Sequence, residues 1–179
     1  MKDFYRHMID LVESIEDCLA KHRILPCLVL LYTGIDVMAS LEPLPGEGTQ
    51  STFVRWADRY LLNGRGFPCT ALDLFAARCG ILHTFTPDSR LYREGKARQI
   101  AYAWGTADVN SLEMSKQKLG GHDFSCVHLR ELVDAFRSAL VDHLEDVKTH
   151  PERNERFEKA AGRWFAHMDP AVVNDFLAI

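Results

Sequence analysis

The sequence predicts a mainly α-helical bundle, a single domain over residues 1–179, with one irregular middle segment. Three observations predict it. Apolar side chains recur every three or four residues through residues 3–22, 51–62, 70–85 and 125–148. Proline and glycine cluster between these stretches rather than inside them. At 47% hydrophobic and 26% charged residues over 179 positions, the chain can build a core without disulfide or metal staples.

Residues 3–22 read as a first helix, with Phe4, Met8, Leu11, Ile15 and Leu19 on its apolar stripe. Asp10, Glu13, Glu16 and Asp17 fall mostly on a solvated face. Residues 25–41 form a second helix, whose first turn tolerates Pro26. It is apolar on nearly all sides and is therefore central. Asp36 is the anomaly within it: a carboxylate there needs a polar seam or a cation. Residues 42–49, EPLPGEGT, make a loop. A third helix, 51–62, turns Phe53, Trp56, Tyr60 and Leu61 inward and Arg55, Asp58 and Arg59 outward, and Asn63-Gly64-Arg65-Gly66 ends it.

Thr70 is an N-cap, with Asp73 three residues later, and opens a helix over 70–85 that Pro87 stops. Residues 98–104 read either as a short strand in a β-hairpin with 108–112 or as a helical turn. Residues 115–124 read as a loop. A long helix over 125–148 presents Val127, Leu129, Leu132, Val133, Phe136, Leu140 and Leu144 to the core, and His150-Pro151 breaks it. A helix over 152–167 follows, with Phe157, Ala160, Ala161, Trp164 and Phe165 apolar, and then a short helix over 170–178.

A formal net charge of −4 argues against a broad basic surface for non-specific duplex binding, but not against a local basic pocket. The cysteines 18, 27, 69, 79 and 126 form no CxxC pair, and four of them fall in expected helices, which suits buried reduced thiols in an intracellular protein. The amphipathic N-terminus lacks the apolar core of a signal peptide. The longest apolar run, 24–41, is interrupted by Pro26, Thr33, Gly34, Asp36 and Ser40, so it reads as a core helix and not a membrane span. A cytoplasmic protein with no membrane partner is expected.

The helix over 70–85 carries the one chemical anomaly, because Arg78 lies inside a mostly apolar stretch and is costly to bury unpaired. His83 follows five residues on. Their helical directions differ by ~140° with ~7.5 Å of rise, so they do not stack, yet the long arginine can reach a groove shared with the histidine. A guanidinium holds phosphate and an imidazole moves protons near neutral pH, a pair suited to phosphate chemistry. The same residues also make sense structurally, with Arg78 paired to Asp36 and His83 favoured by the helix C-terminus.

Arg78-Cys79-Gly80-Ile81-Leu82-His83, an Arg-x4-His pattern in a helical bundle, resembles the HEPN superfamily of small prokaryotic helical domains. The resemblance covers residues 3–85 and 125–148. It implies a metal-independent endoribonuclease or RNA-processing domain of a toxin or phage-defence type, with Arg78 and His83 catalytic and Asp36 orienting Arg78. It further implies a homodimer in which two such segments meet across a cleft, an antitoxin or defence partner, and no cofactor. Other members of that superfamily are non-enzymatic interaction modules. Where the family commonly follows the arginine with Asn, Asp or His, this chain has Cys79.

Arg90, Arg93 and Arg98, interleaved with Tyr92, Tyr102 and Trp104, form the candidate RNA-binding group, with Tyr102 as a stacking residue. The plainer reading is a short amphipathic segment lying over the bundle. Metal-dependent hydrolysis is a third reading. It would draw on Cys79 with His83, on His122, Asp123 and His128, or on His143, Glu145, Asp146 and His150, but the Glu-x-x-His pairs typical of di-metal bundles are absent, and no metal site is assigned.

Overall fold

In a computed structural model, which describes residues 2–116, 118 and 124–163, the chain is mainly α-helical. The elements run α1 (Lys2–Ala20), α2 (Ile24–Ser40), α3 (Thr49–Trp56), a π-helical segment (Ala57–Leu62), α4 (Ala71–Thr84), α5 (Arg90–Arg93), β1 (Gln99–Ala103), α6 (Val109–Ser115), β2 (Phe124–His128), α7 (Leu129–Lys148) and α8 (Pro151–Ala161). The expected helix at 170–178 and the apolar positions Trp164 and Phe165 lie outside the described residues. No described helix is long and apolar enough to cross a membrane.

As its composition predicts, α2 is the central element and packs against α1, α3, α4 and α7. Cys27, Leu31, Tyr32 and Ile35 on it are fully buried. Its approach to α7 is set at Gly34, where a Cβ would stand 2.6 Å from the Phe136 ring. Overpacking of that size forces a buried ring off its rotamer, so the residue must be glycine for the two helices to lie this close.

The middle segment departs from the expected hairpin. β1 does form, but it pairs in parallel with β2, from Gln99↔Phe124 to Ala103↔His128. Residues 109–115 are helical because Asp108 caps them, its carboxylate accepting from the amides of Asn110 (3.2 Å) and Ser111 (3.3 Å). A parallel pair needs a crossover longer than a hairpin turn, and the stretch containing α6 supplies it. The expected helix at 125–148 accordingly starts late, at Leu129. Its first residues, Ser125, Cys126 and Val127, form with Phe124 a strand buried along its length, whose near-continuous apolar run mimics helix. His128 is the N-cap of α7, its Nδ1 accepting from the Arg130 amide at 3.2 Å. Cys126 thus sits in a strand and Cys69 between helices, which leaves three cysteines on helices, and all five are free thiols.

The expected helix at 51–62 is α3 running into the π-helical segment. The wider turn places Tyr60 and Arg59 toward α7, where both donate to Asp146, at 2.5 and 2.7 Å. Asp146 belongs to a buried polar network centred on Glu42. Trp56 Nε1 donates to His143 Nδ1 at 3.0 Å; because indole can only donate, the imidazole proton sits on Nε2 and is given to Glu42 Oε2 at 2.7 Å. Arg153 of α8 grips both Glu42 oxygens at 2.8 Å, and also donates to Asp146 Oδ2 and to the Tyr60 hydroxyl at 2.8 Å each. His143, grouped with possible metal ligands on sequence grounds, is a fully buried core residue with both ring nitrogens committed.

Burial on its own would raise the Glu42 carboxyl, but His143 and Arg153 outweigh it and lower it from 4.5 to about 2. Asp146, pulled down by Tyr60 and Arg153 against the same opposing effect of burial, is lowered from 3.8 to about 2. A depressed native value stabilises the fold above the unfolded value, and that stabilisation is lost as pH falls through the native one. Glu42 alone should contribute on the order of 3 kcal/mol that disappears between about pH 4.5 and pH 2. Urea unfolding at pH 5 and at pH 2.5 measures it, and equal unfolding free energies at the two would contradict the assignment.

Candidate functional site

The Arg-x4-His segment lies on α4, and the start of that helix is fixed by local chemistry. Thr70 Oγ1 accepts from the Asp73 amide at 3.1 Å, and Asp73 Oδ2 accepts from the Thr70 amide at 2.9 Å. This is the reciprocal capping box that the Thr-x-x-Asp spacing predicts. Asp73 also receives the Arg98 amide (2.7 Å) and guanidinium (2.9 Å), which ties the approach to β1 onto the helix. At the other end Phe85 takes a left-handed conformation, φ 54° and ψ 30°, and the chain folds back over Gly80. A Cβ on Gly80 would overlap the Thr86 carbonyl oxygen, so the glycine between Arg78 and His83 makes room for the turn that ends the helix.

Arg78 points from α4 to Asp36 of α2, the cation that the anomalous carboxylate requires. Arg78 Nε and Nη2 both reach Asp36 Oδ2 at 2.6 Å. The side chains are 16% and 19% exposed, so the pair is mostly withdrawn from water. The remaining Arg78 nitrogen, Nη1, lies 3.2 Å from His83 Nε2 and 3.9 Å from Cys79 Sγ. Arginine can only donate, so this contact requires a lone pair on His83 Nε2. The guanidinium also lies 5.8 Å from the centre of the Phe75 ring. Burial pushes the Asp36 carboxyl above its ordinary value, against the pull of the Arg78 hydrogen bond and charge. On Arg78 burial acts downward and the bond to Asp36 outweighs it, raising the guanidinium.

The three residues thus form a line running from a part-buried carboxylate, through a guanidinium, to an exposed imidazole. An anion reaching the exposed end meets a donor held at a fixed orientation and a ring able to exchange a proton. Asp36 Oδ1 is buried and has no hydrogen-bond partner among the described residues.

The other sequence candidates are more dispersed. Arg90 and Arg93 are exposed on α5, paired with Glu94 at 3.7 Å and Asp88 at 2.8 Å. Arg98 is anchored by Asp73 and also donates to the Pro68 carbonyl at 2.9 Å. With Tyr92 and Lys96 it lines an open groove of about 550 Å³ at the start of α4. Tyr102 shares a strand face with the buried Ile100 and turns its hydroxyl inward, to a hydrogen bond with the hydroxyl of the fully buried Tyr32. Among the described residues no group of three or more His, Cys, Asp or Glu side chains is placed to hold a metal ion, and His122 and Asp123 lie outside those residues.

Sequence reasoning missed the cavity beside Asp36. It holds about 250 Å³ and is lined by Ser40, Glu47, Thr49, Thr52 and Phe53 among others. The glycine and hydroxyls of residues 48–52 read only as a loop running into a helix, and nothing in their spacing points across to α2.

α4 is apolar on several sides, and within the chain itself α2, α3, β1, α5 and the π-helical segment all pack against it. No family model, curated protein or solved structure matches this chain.

Because Asp36 holds Arg78 in a mostly buried seam, Asp36→Ala leaves an unpaired buried cation and should cost about 3 kcal/mol. Asp36→Asn, which keeps an acceptor, should cost less. Denaturant midpoints of the two variants test this, and a midpoint unchanged by Asp36→Ala would remove the pair as a stabilising contact.

Proposed function

We propose that this protein is a metal-independent endoribonuclease acting through Arg78 and His83. The observation that supports the reading is the placement of Arg78: Asp36 fixes one edge of its guanidinium, and the third nitrogen is presented beside the His83 ring at the exposed end of α4. The reading agrees with the resemblance of the Arg-x4-His segment to the HEPN superfamily, and extends it to a toxin or phage-defence setting in the cytoplasm.

The chemistry is in-line transfer at phosphorus. The RNA 2′-hydroxyl gives its proton to a base and its oxygen bonds to phosphorus. The P–O5′ bond breaks, and an acid protonates the leaving 5′-oxygen. The products are a 2′,3′-cyclic phosphate and a 5′-hydroxyl. Base and acid stand on opposite sides of the phosphorus, and one His83 cannot fill both places in one step. A two-fold homodimer with the α4 ends facing each other supplies the second imidazole. Arg78 donates to the non-bridging oxygens as charge grows there, the role of a positioned donor.

A second reading keeps the fold as a non-enzymatic dimeric interaction module. It is favoured by the two contacts, from Nε and Nη2, that Arg78 makes to one Asp36 oxygen, which already satisfy much of the cation.

Each proton-transfer role is worth about 10²–10⁴-fold in rate. His83→Ala should therefore reduce cleavage by at least that much while RNA is still bound, and Arg78→Ala should weaken both. EDTA should have no effect, and product ends should be cyclic phosphates. Cleavage that persists in His83→Ala, or that EDTA abolishes, would falsify the mechanism. A folded wild type that cuts no RNA would leave the interaction module.

A further inference from the structure

Beyond the end of α4 the chain doubles back along that helix, and the return is pinned at both ends. The Thr86 amide donates to the Gly80 carbonyl at 3.4 Å, Leu91 of α5 is buried, and Asp73 holds the Arg98 amide and guanidinium at 2.7 and 2.9 Å. Ser89 caps α5, its Oγ accepting from the Tyr92 amide at 3.3 Å. With Leu91 turned to the core, the side chains of Arg90, Arg93 and Lys96 are each more than half exposed.

This return is basic within an acidic chain. Residues 88–98 carry Arg90, Arg93, Lys96 and Arg98 against Asp88 and Glu94, while the whole chain has a formal net charge of −4. The pairs that Arg90, Arg93 and Lys96 make with those two carboxylates lie at the surface. Exposed pairs of this kind hold their partners weakly and yield to a phosphate. Arg98 is the anchored cation, and with Lys96, Tyr92 and Leu72 it lines the open groove of about 550 Å³. Cations with an aromatic ring among them are the elements that track a single nucleic-acid strand, the cations along its backbone and the ring under a base.

Helical geometry links this groove to the Arg78–His83 site. Leu72, in the groove wall, and His83 stand eleven residues apart on the unbroken helix α4. At ~100° and ~1.5 Å per residue they point within ~20° of each other and are separated by ~16 Å along the axis. Cys79 falls between them on the same face. Groove and imidazole therefore open on one side of α4, at a spacing on the order of five stacked nucleotides, or fewer in a stretched strand.

We propose that the groove of Tyr92, Lys96 and Arg98, with Arg90 and Arg93 beside it, is a track for single-stranded RNA that leaves the Arg78–His83 site along α4. The inference rests on the ribonuclease reading for the identity of the ligand. Tyr92 is the stacking residue of the track. Tyr102, the aromatic expected from sequence, spends its hydroxyl inward on Tyr32.

The test is binding of end-labelled 2′-O-methyl oligouridylates, a dinucleotide and a decanucleotide, to the full chain by fluorescence anisotropy over a range of salt concentrations. The methyl group blocks the nucleophile, so the readout does not depend on cleavage. The decanucleotide reaches from site to groove and should bind at least about tenfold more tightly than the dinucleotide. Its log affinity should fall with log salt at a slope of about −2, as three phosphate contacts on a single strand require. Arg93→Ala and Lys96→Ala, both at exposed positions, should each reduce that slope by about 0.7. Tyr92→Ala should cost about tenfold in affinity and leave the slope unchanged, because a stacked base releases no counterion. Equal affinity for the two lengths, a slope that neither Arg93→Ala nor Lys96→Ala changes, or equal binding of the corresponding duplex would overturn the track. Cleavage of the unmodified decanucleotide alongside any of those results would leave the nuclease standing without it. The expected binding with no cleavage would overturn the nuclease and keep the track.

Discussion

The Glu42 carboxylate is the constraint on which much of this fold depends. It is 6% exposed and is held by His143 from α7 and Arg153 from α8, with Trp56 of α3 behind the histidine. A buried carboxylate without these partners would be strongly unfavourable, so the three helices and the loop after α2 must assemble together or not at all. The geometry leaves little freedom. The indole can only donate, which settles the histidine tautomer, which in turn requires an acceptor at Glu42. Arg153 then closes the set by bonding to Glu42, Asp146 and Tyr60 at once, and Tyr60 reaches that set through the wider turns of the π-helical segment.

That anchoring has a consequence for the candidate site. Glu42 opens the loop that leads to Glu47 and the start of α3, and those residues form one wall of the cavity beside Asp36. Glu47 is itself braced by Arg55, whose Nη2 also donates to the Glu42 carbonyl at 2.7 Å. The network is therefore scaffold: it fixes where the cavity wall stands relative to α2.

The Asp36–Arg78 pair differs from it in one respect that matters for function. In the Glu42 network both carboxylate oxygens and both imidazole nitrogens are committed. At Asp36 one oxygen has no described partner, and the chain of contacts ends at an exposed imidazole. Saturated polar clusters hold a fold in one arrangement, whereas a line of contacts that ends on an exposed side chain leaves that end to solvent and ligands. Proximity to open capacity, more than the presence of arginine and histidine as such, separates the two clusters.

The sequence by itself determined the elements whose signals are local. The Thr70–Asp73 capping box follows from spacing, the centrality of α2 from its all-round apolar composition, and the need of Asp36 and Arg78 for opposite charges from the expense of burying either alone. Tertiary structure decided whatever depends on partners far along the chain. A strand at 98–104 was one of two readings that the sequence allowed, but its mate at 124–128 was not legible, because a parallel pairing leaves no turn signal between its members and a short buried strand has the same apolar density as the start of a helix. Glu42 and His143 stand 101 positions apart, in a proline-rich loop and on a helix face; the one reads as loop and the other as one of a group of possible metal ligands, and only folding brings a donor and an acceptor within 2.7 Å. The partnerless Oδ1 of Asp36 and the cavity that the Asp36 side chain lines belong to the same class, since a sequence records which groups can hydrogen-bond and only their positions in space record which are left over.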